Sequence, residues 1–482
     1  MSNSNKFQLG LSTLEREIIL ENLPIQGEIP TWLNGSLFRN GPSKFEVGNQ
    51  QYRHLFDGLS MIHKFTFKER QISYRNRFLR GETYRKNLEA GRICVDEFAT
   101  SVNRSMWQNV SSLLHLNISD NANLNITEIA GHFLAITGSH NLLKFDPYTL
   151  ETLGKFYYTD ELPGLLTTGH PQRDFEKQET INMTTDISQS STYNIYRLPF
   201  GETTRQLITS IPVAEPAYIQ SFALTENYII LLEFPLLTNP INLITQKLKG
   251  KPFIENFTWK PKKQTRFLVV NRKKGELIGI YEAEACFAFN QVNAFENQDE
   301  IIIDICAYPS YAIDDYYLSN LRNPQGCTLS KPELRRYKIA LSAQSVSSEL
   351  LSKEFLEFPR INSKQCQTKD YQFVYGIGFA QEQPNDFFNQ LLKIDIIRQK
   401  ISRWYEEGCY PGEPIFVPEP NSEQEDEGII LSVVLDGNQG NSFLLILDSH
   451  SFVEIARTKI PHHIPFGLHG QYFPSTVLPH VG

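Results

Sequence analysis

The stretch Leu391-Leu-Lys-Ile-Asp-Ile-Ile-Arg-Gln-Lys-Ile-Ser-Arg-Trp404 decides the fold class. Leu391–Ile397 is an apolar run with three Ile that reads as a strand with an Asp near its end, and the whole stretch to Trp404 reads as a strand ending in Asp, a turn and a further strand. That is the pattern of two antiparallel strands, because β-branched side chains suit a pleated surface and turn residues punctuate it. The same form, a strand ending in Asp, a turn and another strand, recurs at Leu142–Leu153 and Phe443–Ala456. Phe133–Thr137, Arg266–Val270, Glu276–Tyr281, Glu300–Ile305, Tyr371–Tyr375, Ile429–Leu435 and Ser442–Leu447 read as further strands. The hairpin between the second and third of these turns at Arg272-Lys-Lys-Gly275. Helical periodicity is almost absent. Repeated antiparallel sheets without a strict repeat period predict an all-β protein with the look of a propeller.

With no Pro/Gly/Ser-rich linker, residues 20–482 read as one domain and residues 1–19 as an N-terminal tail. The 482 residues are 40% hydrophobic and 12% aromatic, with 32 Phe and 21 Tyr, which suits strands and an aromatic-lined cavity. A net charge of −8 argues against nucleic acid as a partner. The six cysteines are scattered with no CxxC pair, so neither a disulfide framework nor a zinc ribbon is expected. No apolar signal-peptide core opens the chain, and Tyr228–Leu237, the richest apolar stretch, is interrupted by Glu233 and Pro235. It is also far shorter than the roughly 20 residues of a membrane span. A cytoplasmic chain is the expectation.

One segment breaks the acidic balance. Lys247–Lys274 holds ten Lys or Arg against a single acid, Glu255, interleaved with Phe253, Phe257 and Trp259. Basic and aromatic residues together suit an anionic membrane surface, where each basic residue contributes about 1 kcal/mol. A solvated loop with some core contacts is the alternative. Ser105–Leu116 is a second segment apolar enough for an interfacial helix or for part of a core. Among the histidines, His170 and His469 sit beside Gly and Pro, which fix sharp backbone turns, although such a histidine is more often structural than a ligand. His462 and His463 are adjacent and would face opposite ways on a strand.

Longer words carry a resemblance. Trp32-Leu-Asn-Gly-Ser-Leu-Phe-Arg-Asn-Gly-Pro42, His54-Leu-Phe-Asp-Gly58, Thr168-Gly-His-Pro171 and Ser221-Phe-Ala-Leu-Thr-Glu-Asn-Tyr228 appear in order. Asn293-Ala-Phe-Glu296, Glu413-Pro-Ile-Phe-Val-Pro418 and Phe466-Gly-Leu-His-Gly470 follow. Together these resemble the carotenoid cleavage oxygenases, most closely in wording the branch of the β-carotene oxygenases and the retinoid isomerohydrolase. The resemblance implies a seven-bladed β-propeller capped by a dome of loops and short helices. It also implies ferrous iron, Fe(2+), on the propeller axis, held by four histidines, three of them oriented by glutamates. With O2, such a centre cleaves a double bond of a carotenoid or apocarotenoid; the isomerohydrolase branch acts on a retinoid.

Position by position, the first metal ligand matches His170 and the fourth His469, while the second and third fall on Gln220 and Asn290. Two orienting acids match Glu357 and Glu413; the third should follow Thr137, where Gly138, Ser139 and His140 stand. His140 is a conceivable substitute ligand. Three functions therefore stand open: an iron-dependent dioxygenase of polyenes, a non-catalytic carotenoid or retinoid carrier on the same fold, or isomerisation or hydrolysis without O2, for which the sequence has no separate sign. A peripheral membrane surface is an expected partner of each, because polyenes reside in bilayers.

Overall fold

The computed structural model describes residues 6–102, 119–323, 325, 327–380 and 386–478. Seven antiparallel sheets succeed one another along the chain and form the seven blades of a β-propeller. The expected hairpins are present: Gln390–Asp395 pairs with Lys400–Tyr405, Gly428–Asp436 with Asn441–Asp448, and Thr265–Asn271 with Leu277–Ala283. Burial explains why their patterns differ. Inner strands such as Gly35–Lys44 and Gln390–Asp395 are buried on both faces and read as continuous runs. Outer strands such as Leu277–Ala283 have one wet face and alternate.

The two ends of the chain sew the ring shut. Gly470–Pro474 pairs with Gly35–Lys44, in register Leu37 to Tyr472, so the C-terminal strand becomes the innermost of a blade built otherwise from residues 19–78. In the opposite sense, Ile25–Gly27 covers the outer edge of the last blade beside Glu454–Ile460. Pairing both edges removes open strand borders that would otherwise template association.

Residues 6–11, at the start of the described chain, pack against the propeller. Lys6–Leu11 form a 3-10 turn, and Phe7 and Leu11 are fully buried in the largest apolar cluster, with Phe7 stacked on Phe387 at 5.9 Å between ring centroids. Burying such side chains contributes about 1.5–3 kcal/mol each, which holds the segment down. The Arg39-Asn40-Gly41 motif has a defined task as well. The Asn40 backbone exchanges hydrogen bonds with His469 and Leu468, and its side-chain amide donates to the carbonyls of Ala122 and Asn125. A Cβ on Gly41 would lie 2.6 Å from the Gly467 Cα, so only glycine lets the two chains approach this closely.

No helix among the described residues is long and apolar enough to cross a membrane. The Ser105–Leu116 segment lies outside the described residues.

Candidate functional site

Six of the seven blades bring a singled-out residue to the start of their innermost strand. His469 immediately precedes Gly470–Pro474, and His170 sits between Leu166–Thr167 and Gln172–Asp174. Gln220 and Asn290 precede Phe222–Leu224 and Gln291–Asn297. Glu357 begins Glu357–Arg360, and Glu413 stands just before Ile415–Pro418. Strands that begin around one axis bring together residues hundreds of positions apart. Gln220, Asn290, Glu357, Glu413 and His469 are all buried and line one cavity. His170 meets His469 with ring centroids 4.5 Å apart and planes at 85°. His140 is exposed and lies in a separate pocket beside Tyr158, away from this group.

The two glutamates have opposite surroundings. Glu413 accepts from His469 Nδ1 at 2.8 Å, from the Gly470 amide at 2.9 Å and from Arg360 Nε at 3.0 Å, and is paired with buried Arg39. Burial opposes its ionisation, but Arg360, His469 and Arg39 hold its carboxyl well below the usual range. Its charge is thus wholly matched, and the bond to Nδ1 leaves His469 Nε2 as that ring's free nitrogen. Glu357 has no cation. Burial raises its carboxyl to about 8, although the Asn290 amide donates to Oε1 at 2.6 Å and lowers it somewhat. Burial likewise pushes His170 and His469 below the ordinary imidazole value, so both rings are neutral at pH 7.

Two further features were hidden in the sequence. Arg39 lies inside the quoted motif and Arg360 three residues beyond Glu357, but nothing local pairs them with Glu413, 374 and 53 positions away. Phe358 adopts φ 51°, a left-handed conformation uncommon for a bulky residue, and its ring packs on His469 at 5.1 Å. Beyond the axis, a larger cavity is walled by Phe56, Phe98, Tyr218, Leu243 and Phe253 and also reaches Gln220. Of the aromatic residues expected at a membrane, Phe257 is buried against Phe253 and Tyr218. Phe253 and Trp259 are half-buried, Trp259 stacking with Tyr311, and among the described residues of this region Ile241 is exposed, at 72%.

The donor chemistry can be set against the four-imidazole iron centre that the motifs imply. His170 and His469 supply two imidazoles, and His170 Nε2 is buried without a hydrogen-bond partner. The other two positions supply amides. Asn290 spends an N–H on Glu357, and Gln220 Oε1 accepts from the Tyr218 hydroxyl at 3.3 Å. At the place of the third acid, Gly138 borders the cavity, and a Cβ there would meet the Thr167 carbonyl oxygen at an ordinary contact distance of 3.9 Å. Amide oxygens are uncharged ligands suited to hard cations, and losing one supporting partner already costs about 10–100-fold in metal affinity. Among the described residues no group of three or more His, Cys, Asp or Glu is placed to hold a metal ion. The residues present do not fit a four-imidazole ferrous site.

Comparison with known proteins covers nearly the whole chain. A family profile described as retinal pigment epithelial membrane protein matches residues 11–474. The carotenoid-cleaving dioxygenase, mitochondrial, of Mustela putorius furo is 33% identical, over 96% of this chain and 95% of its own. The beta,beta-carotene 15,15'-dioxygenase of Gallus gallus is 31% identical, over 94% and 95% respectively. Among solved structures, cobalt-substituted apocarotenoid oxygenase from Synechocystis superposes with a TM-score of 0.87 at 26% identity, covering 98% of both chains.

Proposed function

The chain belongs to the carotenoid cleavage oxygenase family, and from that premise we propose that it binds a carotenoid or apocarotenoid without cleaving it through the family's iron chemistry. The observation that carries this reading is the 2.6 Å hydrogen bond from the Asn290 amide to Glu357. The acid that would orient an imidazole is occupied by an amide instead. The fold around it is kept, since Ser221 still bonds the Phe289 carbonyl at 3.1 Å and Asn293 still bonds the Cys366 and Lys369 carbonyls. The apolar walls that would receive a polyene are likewise in place. What remains at the axis is two imidazoles and two amides beside an apolar cavity.

The test is to incubate purified protein with an apocarotenal, ferrous ion and O2, following the visible band and the products. The polyene is expected to bind and stay whole. Shorter carbonyl products at multiple turnovers would overturn the proposal. A triple variant, G138E with Q220H and N290H, is the comparison, since it restores two imidazoles and the missing acid.

The same reading includes approach to a membrane from the side of the helix Pro240–Leu248. Leu243 and Phe253 of this region wall the larger cavity, Ile241 projects into solvent, and the basic segment continues beyond it. Flotation with anionic vesicles is expected to fall sharply for Ile241→Asp; unchanged flotation would reject this surface.

A further inference from the structure

Each blade of the propeller ends in an outer edge strand, whose unpaired backbone groups are a template for a further strand. Six of the seven edges carry a deterrent. Ile19–Leu20 and Ile25–Gly27 are only two and three residues long. Thr152–Phe156 holds Lys155, Ser345–Phe355 holds Glu349 and Lys353, and Lys400–Tyr405 holds Lys400 and Arg403. Gln206–Pro212 ends in proline, which has no N–H to offer a neighbour. The seventh edge differs. Leu277–Ala283 holds five uncharged residues in a row, Leu277-Ile-Gly-Ile-Tyr281, and among the described residues no strand pairs with its outer side.

The apolar side chains of this edge meet water. Leu277, Ile278 and Ile280 are 42%, 44% and 46% exposed. Leu277 stands opposite Val270 and Ile280 opposite Leu268, both members of the cluster buried between this blade and the one before it. Cross-strand partners share a face, so Leu277 and Ile280 carry that buried cluster out into solvent. Adjacent exposed apolar side chains of this kind mark an interaction surface. The edge is also held in place. Gly275, in the turn before it, has φ 71° and approaches the Ile208 carbonyl of the preceding blade so closely that a Cβ would lie 2.3 Å from that oxygen.

The charges sit at the two ends of the strand and have opposite sign. Lys273 and Lys274 precede it, Glu282 and Glu284 close it, and all four are exposed. Glu276, at the first end, lies beside Lys274 at 3.8 Å, and Glu282 stands opposite Arg266, which is itself paired with Glu233. A strand basic at its start and acidic at its end is complementary to its own reverse. Antiparallel pairing of two copies sets each end against the opposite charge, whereas parallel pairing would stack like on like. A partner strand of one sign would match one end and repel the other.

We propose that two copies of this chain join edge to edge along Leu277–Ala283, as an antiparallel pair about a two-fold axis. Each copy then covers the exposed Leu277, Ile278 and Ile280 of the other. The same edge is used on both sides, so the assembly closes at two. One strand per copy makes a small contact, and the dimer is therefore reversible. None of these residues lines the axial or the larger cavity, so the proposal is independent of polyene binding.

The experiment is sedimentation equilibrium of the full chain between about 1 and about 100 μM, where contacts of this size become populated. The mass is expected to rise with concentration from one chain toward two. Ile280→Lys sets two like charges near the axis and should weaken association at least about tenfold. The double variants Lys273→Glu with Lys274→Glu, and Glu282→Lys with Glu284→Lys, should each stay single alone and pair when mixed. One chain throughout would overturn the proposal and leave the edge to a partner of another kind. Unchanged association of Ile280→Lys would overturn it as well, by placing the contact elsewhere, and so would double variants that associate alone as the unmodified protein does. Growth beyond two chains would contradict the two-fold closure.

Discussion

Replacing Arg39 by methionine removes one partner of a buried ion pair and leaves the other behind. The Arg39 and Glu413 side chains are 5% and 1% exposed, so neither recovers water when its partner is lost. Breaking a buried pair in this way costs about 3–5 kcal/mol, because one charge stays desolvated and under-compensated. Glu413 keeps Arg360, itself 25% exposed, together with His469 and the Gly470 amide, which places the expected loss toward the lower end. Urea unfolding followed by tryptophan fluorescence gives the number. The double variant Arg39→Met with Glu413→Leu should recover part of the loss, because no charge is then stranded. The acid limb adds a check of sign. The carboxyl of Glu413 is depressed in the folded state, so its contribution is complete above the unfolded value of about 4.3 and is lost as pH falls below it toward the folded value. Glu413→Gln should therefore show a shallower acid decline than the unmodified protein. A double variant no more stable than Arg39→Met, with an unchanged acid limb, would refute the claim that this pair is a main tie of the axial centre.

Glu357→Gln should behave oppositely. The raised carboxyl, at about 8, means that the folded state holds a proton the unfolded chain releases, so wild-type stability falls between pH of about 4.3 and 8. The variant's advantage over wild type in unfolding free energy should grow across that window and then level off; a constant difference would contradict it. Phe7→Ala should destabilise by about 3–5 kcal/mol in the same unfolding assay, whereas a loose N-terminal tail would give no change. Gly41→Ala should cost about 1–3 kcal/mol and weaken polyene binding by displacing the Gly467–His469 segment; retention of both stability and affinity would dismiss that contact.

Strand and turn patterns were legible because they are local. The Asp that closes the strand and the turn after it lie within one hairpin, and Gln390–Asp395 pairs with Lys400–Tyr405 around residues 396–399, so the hairpin was legible although the strand stops two residues short of Ile397. The motif words gave the family and fold, and they marked His170, Gln220, Asn290, Glu357, Glu413 and His469, which the propeller gathers around its axis. The network that joins them was not legible. Arg39 reaches Glu413 across 374 positions, and no periodicity encodes a contact made by closing a ring. Residues 6–11 read as part of a tail because they precede the first strand, yet Phe7 and Leu11 are buried in the largest apolar cluster. Phe257 read as a membrane residue from its basic surroundings, but the 3-10 turn Phe253–Asn256 directs it toward Tyr218. An interleaved pattern of charge and aromatic residues does not say which way each ring points.

The most direct test of the central claim is the iron content of protein reconstituted anaerobically with ferrous ion and then freed of excess metal. Two imidazoles and two amides predict far less than one iron per chain, rising toward one in the triple variant G138E, Q220H and N290H. Near-stoichiometric iron in the unmodified protein would contradict the account, because it would mean that Gln220 and Asn290 complete a working metal centre.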